Sequence, residues 1–161
     1  MKFFINYLEK IITFLASASI LGIVVIVFLN VVMRYIFNTG LTWSDEVSVN
    51  LFVWFIFLGG ILAAIEKMHL KVDIFTNLFN QKNQKIFTMV ANIFVLLAMG
   101  ILLVGGIAQV EVSNNNISSA TGIPFSWITV SMVVFASGVI LLTVHEIIKI
   151  FFRKDEEFLV D

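Results

Sequence analysis

The sequence predicts an all-α integral membrane protein, a single membrane domain over residues 1–161 with four transmembrane helices. Hydrophobic residues make up 60% of the chain and charged residues only 13%, whereas soluble domains carry about 25% charged residues. Four apolar runs separated by short polar segments each approach or exceed the roughly 20 residues that cross a bilayer. The mean hydropathy of +1.02 agrees with a chain whose main solvent is lipid.

The first predicted span covers residues 11–33 and is bounded by Lys10 and Arg34. This run is longer than the 7–15 apolar residues of a signal peptide, so we expect it to be retained as a membrane helix. The preceding residues 1–10 place apolar side chains at helical spacing among charged ones. That pattern predicts a short helix at the membrane surface.

The other three spans are predicted over residues 47–65, 86–110 and 124–144. Asp45 and Glu46 precede the second span, where acidic side chains suit the first turn of a helix. Pro124 fits the first helical position of the fourth span because its missing N–H has no partner there. Apolar residues within the polar connection 66–85 predict a second short interfacial helix.

The basic residues predict the orientation in the membrane. Nine of the ten Lys and Arg residues lie in the N-terminus, the connection 66–85 or the C-terminal tail, and Arg34 alone lies on the other side. Basic residues accumulate on the cytoplasmic side. We therefore expect both termini in the cytoplasm and the turns 34–46 and 111–123 outside it.

The interiors of the four spans contain no Asp, Glu, Lys, Arg or His. Pumps, proton-coupled exporters and voltage sensors carry such residues within the membrane. The chain also lacks cysteine, which excludes disulfides and thiol chemistry. We therefore expect an accessory subunit rather than an enzyme, with no cofactor and no nucleic-acid partner. Asn30, Asn50 and Asn92 are expected to form hydrogen bonds between helices, with a polar path as the alternative.

Other interpretations of the polar residues remain open at this point. Glu66, His69 and Asp73 have a spacing that a metal site uses, but no second copy of the motif completes it. His69 and His145 would suit a haem-bearing membrane anchor of a redox complex, which is the main alternative. A homodimeric exporter is disfavoured by the lack of an intramembrane carboxylate. Arg34, Asp45 and Glu46 form either a docking patch or a solvated anchor and helix cap.

Several short motifs, in order along the chain, resemble one family of membrane proteins. They are Arg34-Tyr35-x-Phe37-Asn38, Trp43-Ser44-Asp45-Glu46, Trp54 with Gly59, His69 with Val72-Asp73, and Gly122-Ile123-Pro124. Together with the length and the four spans, they resemble the small DctQ-type membrane subunit (Q subunit) of TRAP (tripartite ATP-independent periplasmic) transporters. The resemblance extends over essentially the whole chain.

The resemblance implies a scaffold subunit in a bacterial inner membrane. Its partners would be a large multi-span M-type subunit, which carries the substrate and sodium sites, and a periplasmic substrate-binding protein. The complex would take up an organic acid, such as a C4-dicarboxylate or sialic acid, with sodium. The resemblance makes Arg34, Trp43, Ser44, Asp45 and Glu46 candidates for a periplasmic partner surface. It assigns no role to the other matching positions, Tyr35, Phe37, Gly59, His69, Asp73 and Pro124.

Overall fold

The computed structural model of the chain describes residues 2–69 and 81–152. Over these residues the chain forms four long helices: α1 (Lys2–Ile36), α2 (Ser44–His69), α3 (Gln81–Asn114) and α4 (Ser126–Phe152). Within these two ranges, the β-structure amounts to an isolated bridge between Ile117 and Pro124. The predicted all-α class is therefore confirmed.

Each helix contains a stretch that is long and apolar enough to cross a membrane. These stretches are Asn6–Ile36, Ser44–Glu66, Ile86–Asn114 and Ser126–Ile150. Each overlaps one predicted span, so the prediction of four membrane-crossing helices is confirmed. The ionisable residues within these stretches lie near the helix ends, and the central turns contain none.

The helix ends differ from the predicted boundaries. α1 is continuous from Lys2, so residues 2–10 form its first turns rather than a separate surface helix. α4 begins at Ser126, so Pro124 precedes the helix instead of occupying its first position. The Pro124 carbonyl accepts a hydrogen bond from the Trp127 amide at 3.2 Å. The predicted interfacial helix within residues 66–85 falls mainly outside the described residues.

The four helices pack as two hairpins joined through α2 and α4. α1 packs on α2, α3 packs on α4, and α2 packs on α4. Within the first hairpin, Gly22 lies against Leu51, and Asn30 contacts Leu41. The residue order is reversed between the two helices, so α1 and α2 are antiparallel.

The α2–α4 contact brings together helices that run in the same direction. The ring of Phe135 lies against Gly60, and its centroid is 5.4 Å from that of Phe57. One turn further along, Ile61 lies against Gly138. Small residues at such contacts allow membrane helices to approach closely. Most of the buried apolar core belongs to this pair and comprises Leu58, Ile61, Ile65, Ala136 and Val139.

Candidate partner surface at the loop end

Loop A (residues 37–43) and loop B (residues 115–125) lie at one end of the helix bundle, which we call the loop end. Loop A begins where Asn38 takes a left-handed conformation (φ 49°), which Asn tolerates at helix ends. The Thr39 amide donates to the Met33 carbonyl at 3.1 Å. The Leu41 amide donates to Asn30 Oδ1 at 2.9 Å, which ties loop A back to α1.

Loop B folds as a tight turn held by its own backbone. The Phe125 amide donates to the Asn116 carbonyl at 3.0 Å, and the Ser118 amide donates to the Ile123 carbonyl at 3.1 Å. Gly122 has a φ of 70°, a conformation that costs residues with a Cβ roughly 1–2 kcal/mol. Its amide donates to the Ser118 carbonyl at 3.0 Å.

Glu46 in the first turn of α2 fastens loop B to that helix. Its Oε2 atom accepts hydrogen bonds from the Ser118 hydroxyl and from the Thr121 hydroxyl at 3.1 Å. The Ser118 hydroxyl oxygen accepts in turn from the amides of Ala120 and Thr121, both at 3.1 Å. Hydrogen bonds to a charged group are about twice as strong as neutral ones. We call this set of bonds the Glu46 clamp.

A pocket of about 220 Å³ lies beside the Glu46 clamp. α2, loop B and the first turn of α4 all contribute to its walls. Most of the lining surface is apolar, and the ionisable groups on it are two carboxylates. The lining residues are Asp45, Glu46, Val49, Asn50, Ser118, Thr121, Ile123, Pro124, Phe125 and Ile128.

The structure separates the five residues predicted to form a partner surface. Arg34, Trp43 and Asp45 are exposed, and Arg34 lies in the last turn of α1. Ser44 is only 1% exposed, and its hydroxyl donates to the Leu41 carbonyl at 2.7 Å. Ser44 therefore belongs to the packing beneath the surface. Glu46 is half-buried in the clamp, and Asp45 and Glu46 are the two of the five that line the pocket.

The other family-motif positions are spread along the chain. Tyr35 and Phe37 are exposed at the loop end. Gly59 lies within α2, where an added Cβ would meet nothing within 4 Å. His69 is the last residue of α2, and Asp73 lies outside the described residues. Pro124 lines the pocket and forms the bridge to loop B residue Ile117.

The three asparagines do not follow the expected pattern of bonds between helices. Asn30 binds the backbone of loop A, and Asn50 donates within its own helix to the Glu46 carbonyl at 3.4 Å. Asn92 Nδ2 is buried and has no hydrogen-bond partner in the described part of the chain. The same holds for His145 Nδ1.

Sequence reasoning missed Ser118 and Thr121. The sequence showed a turn rich in Asn, Ser and Gly, and a hydroxyl that accepts amides two and three residues further on is a common turn device. That local signal could have indicated Ser118. Its partner Glu46 is 72 positions away, and no local pattern predicts that contact.

Comparison with known proteins gives one consistent result. A family model described as "Tripartite ATP-independent periplasmic transporters, DctQ component" matches residues 23–153. A TRAP transporter small permease protein of Haemophilus influenzae is 34% identical over 144 residues, which cover 89% of this chain and 87% of that protein. The C4-dicarboxylate TRAP transporter small permease protein DctQ of Vibrio cholerae is 30% identical over 101 residues, 63% of this chain and 43% of the relative. The sialic acid TRAP transporter permease protein SiaT of H. influenzae is 26% identical over 131 residues, 81% of this chain but 21% of that protein.

Four long apolar helices define a multi-pass membrane protein. The chain belongs to the DctQ family of tripartite ATP-independent periplasmic transporter components, and it is a TRAP transporter small permease subunit. The resemblance found from the short motifs is thus confirmed. The comparisons give no support to the haem-anchor alternative.

Proposed function

We propose that this subunit is the non-catalytic scaffold of a sodium-coupled TRAP transporter in a bacterial inner membrane. It pairs with a large multi-span permease that carries the substrate and sodium sites, and a periplasmic binding protein delivers an organic acid. The main support is that residues 11–33, 47–65, 86–110 and 124–144 contain no ionisable side chain. Ionisable residues within the membrane usually mark ion and proton pathways, so we assign the coupling sites to the partner.

The relatives support a large partner and an acidic substrate. The match to SiaT covers only 21% of that permease protein, so the relative carries most of its length beyond the part that resembles this chain. The names of two relatives refer to C4-dicarboxylate and to sialic acid. Both substrates are carboxylates. We therefore propose that this transporter takes up a carboxylate, without assigning it either of these two compounds.

The proposed orientation places both termini in the cytoplasm and the loop end in the periplasm. It rests on the nine basic residues on one side against Arg34 on the other, following the positive-inside rule. The chain has no cysteine, so single cysteines report orientation directly. Ser119→Cys should react with a membrane-impermeant maleimide in intact spheroplasts, whereas Lys154→Cys should react only after permeabilisation. The reverse labelling pattern would contradict the orientation.

The scaffold role is tested by affinity purification in mild detergent from the native host, with the tag on the C-terminal tail. We expect a stoichiometric partner of many more membrane spans, identified by mass spectrometry. A homodimer alone, or a complex with a Soret absorbance band, would overturn the proposal.

In cells, Arg34→Glu should impair uptake at limiting binding protein without changing expression, with Arg34→Lys as the matched control. Unchanged uptake would show that Arg34 is not part of the partner surface.

A further inference from the structure

The pocket beside the Glu46 clamp has the size of a receptacle for a side chain. Its volume of about 220 Å³ is below the roughly 300–1,000 Å³ of pockets that hold small-molecule ligands. A pocket of this size suits one long side chain of a partner protein. Such pockets receive the anchor residues that dominate binding at protein interfaces, and arginine is prominent among those anchors.

The lining specifies which side chain fits. Val49, Ile123 and Ile128 provide apolar wall, whereas Asp45 and Glu46 provide the charged groups, and no lining residue is basic. Lys and Arg combine an apolar stem with a cationic head. The stem would contact the aliphatic wall, and the head would face the carboxylates.

Both carboxylates retain capacity to bind a cation. The clamp bonds of Glu46 use Oε2, and Oε1 has no hydrogen-bond partner among residues 6–66 and 86–150, whose side chains the structure describes. Asp45 is exposed, and neither acid forms an ion pair with any residue in 6–66 or 86–150. A guanidinium or ammonium group would therefore meet unpaired negative charge. Because the clamp fixes loop B against α2, the pocket is formed before a partner arrives.

The pocket lies at the edge of the membrane spans, where a soluble partner can reach it. Half of the lining residues belong to loop B, between the candidate spans Ile86–Asn114 and Ser126–Ile150, and the other half lie in the first two turns of the spans Ser44–Glu66 and Ser126–Ile150. Exposed charges at such a site increase association rates and set the salt dependence of a transient encounter. We propose that this pocket receives an Arg or Lys side chain from the periplasmic binding protein when it docks. The inference rests on the proposed function and on the loop end facing the periplasm.

The test measures binding-protein association to the purified complex of this chain and its large permease in nanodiscs. Asp45→Lys reverses the charge outside the clamp, and Val49→Trp fills the pocket without changing charge. Glu111→Lys is the matched control, because Glu111 is an exposed acid at the same end, on α3, that does not line the pocket. Association and dissociation rates, and the affinity that they give, are recorded by biolayer interferometry at low and high salt.

We expect Asp45→Lys to reduce affinity about two- to fivefold at low salt, as for an exposed charge contact, and the loss should shrink at high salt. Val49→Trp should weaken binding at both salt concentrations, and Glu111→Lys should change it less than about twofold. Replacing one Arg or Lys of the binding protein should weaken binding, and combining that replacement with Asp45→Asn should weaken it by less than the sum of the two separate losses.

Three results would overturn the inference while leaving the scaffold role intact. Equal effects of Asp45→Lys and Glu111→Lys would indicate general electrostatics rather than a pocket. Unchanged binding with loss of a co-purified aminophospholipid in Asp45→Lys would assign the pocket to a lipid amine. A photo-crosslink to the large permease from a benzophenone maleimide attached at Asp45→Cys would assign the pocket to that subunit. Failure of wild type to co-purify with any large permease would overturn the proposed function itself, and this inference with it.

Discussion

Gly60→Ala tests the central contact of the fold, where α2 meets α4. A Cβ at Gly60 would lie 2.6 Å from Cε2 of Phe135, about 1 Å inside the normal carbon–carbon contact of roughly 3.5–4.0 Å. The Phe135 ring also contacts Phe57, with centroids 5.4 Å apart, which restricts its movement. Overpacking of this kind costs about 1–3 kcal/mol.

Gly59→Ala is the matched control, because a Cβ there would meet nothing within 4 Å. Both variants share the gain of about 1 kcal/mol from replacing a helical glycine, so their difference isolates the clash. At roughly 2–4 °C per kcal/mol for a chain of this size, Gly60→Ala should unfold about 2–12 °C below Gly59→Ala. The measurement is thermal unfolding of the purified subunit in detergent.

A second substitution, Phe135→Leu, tests the contact between Gly60 and Phe135 directly. Phe135→Leu should destabilise the wild type, because it removes aromatic packing, yet recover part of the loss in Gly60→Ala, because it opens space. Such a difference between backgrounds is the coupling energy of a double-mutant cycle. Equal unfolding temperatures for the two glycine variants, or equal effects of Phe135→Leu in both backgrounds, would refute the predicted clash.

Three further predictions concern the loops. Ser118→Ala should lower the free energy of unfolding by about 1–3 kcal/mol, because it removes a donor and an acceptor of the Glu46 clamp. The control is Ser119→Ala, since the exposed Ser119 side chain makes no hydrogen bond in the described ranges. Identical thermal unfolding curves for the two variants would argue against the clamp. Asn30→Leu should cost about 1 kcal/mol by removing the acceptor of the Leu41 amide, and proteolysis should then cut loop A faster. Asn30→Gln, which keeps an uncharged amide acceptor, should resist cleavage better. Gly122→Ala should lower stability by about 1–2 kcal/mol because of its positive φ, and Gly122→Asn should lower it less in the same assay; equal losses would contradict the conformational explanation.

The sequence was sufficient to predict the four helices, since their length and composition follow directly from the thickness of the bilayer. It predicted the helix ends less well. Lys2, Glu9 and Lys10 indicated an interruption before the first span, yet α1 continues through them. Charged residues limit how far a helix is embedded in lipid, but they do not end it. Asp45 and Glu46 were correctly predicted to be in the first turn of α2, because that preference depends only on the local helix dipole.

The candidate site was less predictable because it depends on helix packing. The sequence indicates that consecutive helices form hairpins, but not that α2 rather than α1 lies beside α4. Only that pairing brings loop B to the first turn of α2, where Ser118 reaches Glu46. Ser44 shows the same limitation, since its neighbours in sequence are exposed, whereas its own side chain is buried beneath loop A.

Adjacent carboxylates in the first turn of α2 have different surroundings, and this decides how a docking surface can be tested. Glu46 is half-buried and holds loop B, so its replacement would alter the pocket walls together with the charge. Loss of partner binding in Glu46→Gln would therefore not distinguish a docking contact from a displaced loop. The Asp45 carboxylate is exposed and has no hydrogen-bond partner among residues 6–66 and 86–150, so replacing it by Asn removes the charge and leaves the pocket walls in place. If Asp45→Asn leaves the unfolding temperature unchanged but weakens partner binding, the acidic pair forms part of a docking surface. If only Glu46→Gln has an effect, the pair serves to anchor loop B.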